Sequence, residues 1–108
     1  MEPHIESSEM QKKVHEWISQ FKEGYWEPHV MVSILAEEVG EVARAINHIH
    51  GPKKPKEGEN EVVLGDELAD VLFVLICIAN EHKISLSDAF EKNMRKKYGR
   101  DNDRFEKK

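Results

Sequence analysis

Apolar residues recur at intervals of three and four along most of the chain, and no stretch alternates cleanly with period two. That spacing predicts helices and no strands, so the expected fold class is all-α. The first helix begins at "SSEMQ", where Ser8 and Gln11 match a capping box. It carries Met10, Val14, Trp17, Ile18 and Phe21 on one stripe, and Gly24 is its expected stop. The second opens at Pro28 and runs to about His50, ahead of the Gly- and Pro-rich loop "GPKKPKEGEN", which is expected to be exposed. The third covers roughly Glu61 to His82. The fourth follows "ISLSD", where Ser85 and Asp88 form a cap signal and Ile84 stands in staple position to Ala89, and it should stop at Gly99. Residues 1–6 and 101–108 are polar enough to fray, although Phe105 can dock on a neighbour.

With 108 residues and no composition break, residues 1–108 read as a single domain with a small core that oligomerisation would enlarge. A formal net charge of -5 argues against binding a nucleic acid polymer, while leaving room for a small anionic ligand near local basic patches. The single cysteine, Cys77, lies inside "DVLFVLICIAN" and reads as a buried, inert thiol. No apolar run approaches the ~20 residues of a membrane span, and the N-terminus lacks a signal-like segment, so a soluble cytoplasmic protein is expected.

The stretch "ILAEEVGEVARAI" places acids on and beside an apolar face. At about 100° per residue, Met31, Ile34, Leu35, Val42, Ala45, Ile46 and Ile49 fall within roughly 80° of Glu38. Glu41 lies about 60° off, on the edge of the stripe, and Glu37 near 100°, where it is more exposed. "GDELADVLF" repeats the device: Val63, Leu64, Val71, Val74, Leu75 and Ile78 surround Glu67, and Asp70 lies about 60° away. Packing the two faces together gathers Glu38, Glu41, Glu67 and Asp70. Four carboxylates in a poorly solvated pocket need compensation, and oxygen-only ligands suit Mg²⁺ or Mn²⁺. Any one of these acids taken alone also fits a solvated helix surface, paired with Arg44 or a lysine; the repetition on two helices favours a metal site. Di-iron chemistry is disfavoured, because none of the six histidines has a Glu three residues before it.

"EEVGE" followed by "ELAD" resembles the E-E-x-x-E and E-x-x-D pattern of the MazG-like all-α nucleoside triphosphate pyrophosphohydrolases. The likeness extends through the loop to "KNMRKKYGR", roughly residues 26 to 100. It implies a four-helix-bundle-like fold completed by dimerisation, as a homodimer or homotetramer. It also implies Mg²⁺-dependent hydrolysis of an NTP or dNTP to the monophosphate and pyrophosphate. Carried over by motif, Glu38, Glu41, Glu67 and Asp70 are the metal ligands, with Glu37 an additional acid of the catalytic set. Lys92, Asn93, Lys96 and Tyr98 resemble the phosphate-contacting segment, although a solvated basic helix end reads equally from the residues. Tyr25, Trp26 and His29 in "EGYWEPH" either stack a base or pack in the core. The competing function is a non-catalytic, metal-binding helical oligomer with a regulatory or binding role.

Assembly can also be read from helix three. Phe73, Ile76 and Cys77 fall at about 240°, 180° and 280° from Glu67, so the helix is apolar on nearly every side. Three other short helices cover one face of it, and a partner subunit is expected to cover the rest.

Overall fold

The computed structural model describes residues 7–52 and 63–108, and the regular elements among the described residues are all helices, with no strand. The helices are α1 (Ser7–Ile18), α2 (Pro28–His50), α3 (Leu64–Glu81) and α4 (Leu86–Lys96), and a π-helical turn at Lys97–Asp101 continues α4. Most of the expected loop and the first six residues lie outside the described part, as do Glu61 and Val62, the expected start of helix three; Val63 precedes the first helical turn of α3.

Three boundaries differ from expectation for local reasons. α1 ends at Ile18 and not at Gly24: Ser19 Oγ donates to the His15 carbonyl at 2.6 Å, tight turns follow, and Gly24, at φ 68°, closes the last of them. Phe21 therefore leaves the helical stripe and packs edge-on against Trp17. The capping box at Ser8 does not form, because Gln11 spends its carboxamide on α3 and α4 instead. Gly99 does not stop α4, since the chain winds on through it as the π-helical turn. Other signals hold. Pro28 occupies the first turn of α2, where its missing N–H costs nothing, and Ser85 Oγ accepts the Asp88 N–H at 3.2 Å. Gly51 closes α2 through its N–H to the Asn47 carbonyl; a Cβ there would stand 2.7 Å from that oxygen.

α2 and α3 run antiparallel and form the main packing, with Met31 beside Cys77 at one end and Glu38 beside Asp70 farther along. α1 lies against α3. Among the described residues the buried core is Ile18, Met31, Ala45, Val74, Ile76, Cys77 and Ala79; within it Ile18, Met31 and Cys77 cluster together, flanked by Val14, Tyr25, Phe73 and Ile78. Burial pushes the Cys77 thiol up to about 11, as an inert core cysteine requires. Ile76 and Cys77, expected to await a partner, are already buried within this one chain, and Phe73 is half-buried with its ring edge on Trp17. Helix three is nonetheless incompletely covered: Leu68, Leu72 and Leu75 remain exposed. Phe105 is 74% exposed and does not dock within the chain.

The α3–α4 elbow is a Schellman turn, with the Ile84 N–H on the Ala79 carbonyl at 2.8 Å and the Lys83 N–H on the Asn80 carbonyl at 3.1 Å. Lys83 holds φ 57° at the position that favours glycine. Lys83→Gly is expected to raise stability by roughly 0.5–1 kcal/mol, read as an increase in thermal midpoint. A lower midpoint would show that Lys83 has a compensating role.

Candidate metal and nucleotide site

The antiparallel pairing of α2 and α3 carries out the juxtaposition that the two acidic faces require. One carboxylate oxygen each from Glu38, Glu67 and Asp70 lies within 4.8 Å of the others. Glu38 and Glu67 are half-buried and Asp70 is exposed, so the cluster opens to solvent on the α3 side. Glu67 lies in the first turn of α3, where unpaired backbone N–H groups favour a negative charge.

The electrostatics single out Glu38. Partial desolvation raises its carboxyl above the ordinary range, and the charges of Asp70, Glu67 and Glu41, with a hydrogen bond to Asp70, push the same way. Removing one proton-binding group from such a cluster, or adding a cation, relieves the same repulsion. The donor set therefore fits a hard divalent cation: three carboxylates converge, all ligands are oxygen, and one side is open.

The remaining acids stand apart to different degrees. Glu41 is near enough to act on Glu38 but turns its carboxylate to Arg44 Nη1 at 3.5 Å, outside the three-carboxylate group. Glu37 is exposed, as its helical angle requires. Lys92, Asn93, Lys96 and Tyr98 are exposed on α4 and the π-helical turn, and among the described residues the charges that act on Glu38 are all acidic. Within one chain, the fold does not bring the basic segment of α4 to the carboxylates. Trp26 lines a groove of about 440 Å³ with Trp17, Phe21 and Phe73. His29 is exposed in the first turn of α2, roughly 14 Å along the axis from Glu38. Tyr25 takes the core alternative: it packs against Ile18, Met31 and Cys77, and its hydroxyl meets Asn80 Nδ2 at 3.0 Å and His15 Nδ1 at 2.8 Å. Desolvation raises its pKa, against the lowering effect of the Asn80 hydrogen bond.

Sequence reasoning missed the Gln11–Asn80 pair. The signal was present: Gln11 shares the stripe of Val14 and Ile18 at spacings of three and seven, and Asn80 is a polar residue at the end of an apolar run.

A family model of the MazG nucleotide pyrophosphohydrolase domain matches residues 27–105, a span that holds both acidic motifs, α3, α4 and the π-helical turn. The chain belongs to that family and is a nucleotide pyrophosphohydrolase, a hydrolase. YpjD of Bacillus subtilis, an uncharacterized protein, is 45% identical over 100 residues, covering 93% of this chain and 90% of that one. The crystal structure of YpjD superposes with a TM-score of 0.78 at 42% identity, over 88% of this chain and 97% of the other. The crystal structure of the Bacillus-conserved MazG protein, a nucleotide pyrophosphohydrolase, matches with a TM-score of 0.73 at 43% identity, over 89% and 91% of the two chains. These likenesses place the chain among the MazG enzymes. No helix among the described residues is long and apolar enough to cross a membrane.

Proposed function

We propose that this protein is a Mg²⁺-dependent nucleoside triphosphate pyrophosphohydrolase that cleaves an NTP or dNTP to the monophosphate and pyrophosphate, acting on the cytoplasmic nucleotide pool as one domain over residues 1–108. The observation that carries the reading is the convergence of Glu38, Glu67 and Asp70 between α2 and α3. These three would hold the cation, with Glu41 joining them by exchanging Arg44 for it and Glu37 standing by as a further acid. Mn²⁺ would serve in the same ligand set. When bound, Mg²⁺ supplies positive charge for the polyphosphate and acidifies water at the site.

The chain's own residues do the rest. Glu38, on which Asp70, Glu67 and Glu41 all act, is the acid whose crowding the cation would relieve. Lys92, Asn93, Lys96 and Tyr98 bind the triphosphate, and Trp26 and His29 meet the base. Because α4 packs mainly against α1 and its own π-helical turn, the basic segment would reach the site from another subunit of a homodimer or homotetramer. Pyrophosphate release from a panel of NTPs and dNTPs should require Mg²⁺ or Mn²⁺ and stop with EDTA. Turnover that persists in EDTA would refute metal dependence, and no release from any triphosphate would refute the substrate class.

A further inference from the structure

No residue of α4 is buried, and Phe90 on its apolar face is 67% exposed. The direction of this helix is therefore not fixed by a core of its own. It is fixed at its first residue by α1. Gln11 Oε1 accepts the Leu86 N–H at 2.9 Å, one of the donors that a helix start leaves without an intrahelical partner. Gln11 Nε2 donates to the Ile84 carbonyl at 2.8 Å and to Asn80 Oδ1 at 2.9 Å. Asn80 Nδ2 returns a hydrogen bond to the Gln11 carbonyl at 2.9 Å and also reaches Tyr25 Oη. Both carboxamides have donors and acceptor in use, so the pair accepts one orientation only. Gln11 thus holds the elbow at the end of α3 and the beginning of α4 together.

We propose that Gln11, seated by Asn80, is a positioning residue for the triphosphate: it sets the direction in which α4 leaves α3 and so places Lys92 and Lys96. This rests on the reading of those lysines as phosphate contacts. The lever is long. Lys96 stands ten residues beyond Leu86, about 15 Å along a helix, so a swing of ~10° moves it by ~2.5 Å, enough to break a charge-assisted hydrogen bond. The carboxylates on α2 and α3 do not depend on this joint.

The test compares Gln11→Ala and Gln11→Glu with the unaltered protein. Glutamate keeps an acceptor for Leu86 but loses both donors and sets a negative charge against Asn80 Oδ1 and the Ile84 carbonyl. Both variants should speed amide exchange in residues 86–96 while leaving that of residues 31–45 unchanged. Each should raise KM for the triphosphate about tenfold with kcat changed less than about threefold, and leave the affinity for Mn²⁺ alone unaltered. In a Lys92→Ala/Lys96→Ala background, Gln11→Ala should have no further effect on KM. Unaltered exchange in residues 86–96 would overturn the Gln11 joint itself. Faster exchange with unchanged KM, or a full KM effect in the lysine-free background, would overturn the positioning role. If the lysine substitutions themselves leave KM unchanged, the phosphate reading fails and the positioning role with it, whereas the exchange result still judges the joint.

Discussion

Glu38→Gln is expected to lower turnover by about a hundredfold or more while making the metal-free protein slightly more stable. The two effects have one cause. Glu38 stands where Asp70, Glu67 and Glu41 all act against its charge, so a neutral amide removes repulsion in the metal-free state and a ligand from the proposed metal-bound state. The pH dependence carries the same sign. The folded chain keeps the Glu38 proton above its ordinary value of 4.5, whereas the unfolded chain releases it near that value. Metal-free stability therefore falls as pH rises from about 4.5 through the raised value, and Glu38→Gln should flatten this fall. Asp70→Asn should act likewise, and Glu37→Gln should do less harm than either, because Glu37 lies outside the group formed by Glu38, Glu67 and Asp70. Thermal melts in EDTA across pH, paired with pyrophosphate release, check these outcomes. Full activity in both Glu38→Gln and Asp70→Asn would mean that the site lies elsewhere.

Leu72→Lys is expected to dissociate the protein and abolish activity, whereas Ile76→Lys should unfold it. Ile76 is 3% exposed within a single chain, and an unpaired lysine there costs several kcal/mol, about 3 or more, whatever the assembly state. Leu72, at 40% exposed, belongs to a seam that the chain leaves open. On α3 the open positions Leu68, Leu72 and Leu75 are spaced by four and three; on α2, Val32, Val39 and Ile46 are spaced by seven. Those are the intervals by which one helix pair seats against another. The radius of gyration, 17.5 Å, exceeds the about 13 Å of a compact chain of this length. The surface of 9130 Å² likewise exceeds the roughly 6200 Å² of a compact monomer. Sedimentation at low micromolar concentration should find a dimer or a dimer of dimers, and an active monomer would refute the proposed assembly.

Angular reasoning from sequence anticipated what depends on one helix at a time. It put Glu38 within the α2 face and Glu37 outside it, and it placed Val74 in the core. It failed where two helices share a residue. Ile76 and Cys77 looked surplus to helix three because the other helices were counted as covering one face of it, yet α1 and α2 both pack along α3 and the two side chains are buried. Gln11 matched a local capping rule; its place on the stripe of Val14 and Ile18 marks it as facing the other helices, but no short window names the partners there that draw it from Ser8. Glu41 illustrates a third limit: spacing placed it in the cluster with Glu38, Glu67 and Asp70, but its rotamer follows Arg44, three residues away on the same helix, and leaves it outside the three-carboxylate group.

The hydrogen bonds of Gln11 span 69 to 75 residues of sequence. On a ribosome that adds about 5–20 residues per second, α1 waits on the order of 4–15 seconds for the partners of its polar edge to be made. During that interval Val14, Trp17 and Ile18 have no α3 to rest on, and an isolated helix of 12 residues is marginal in water. α1 is thus made well before its partners and settles late, and a nascent chain stalled before Asn80 presents an unpaired apolar helix suited to a chaperone.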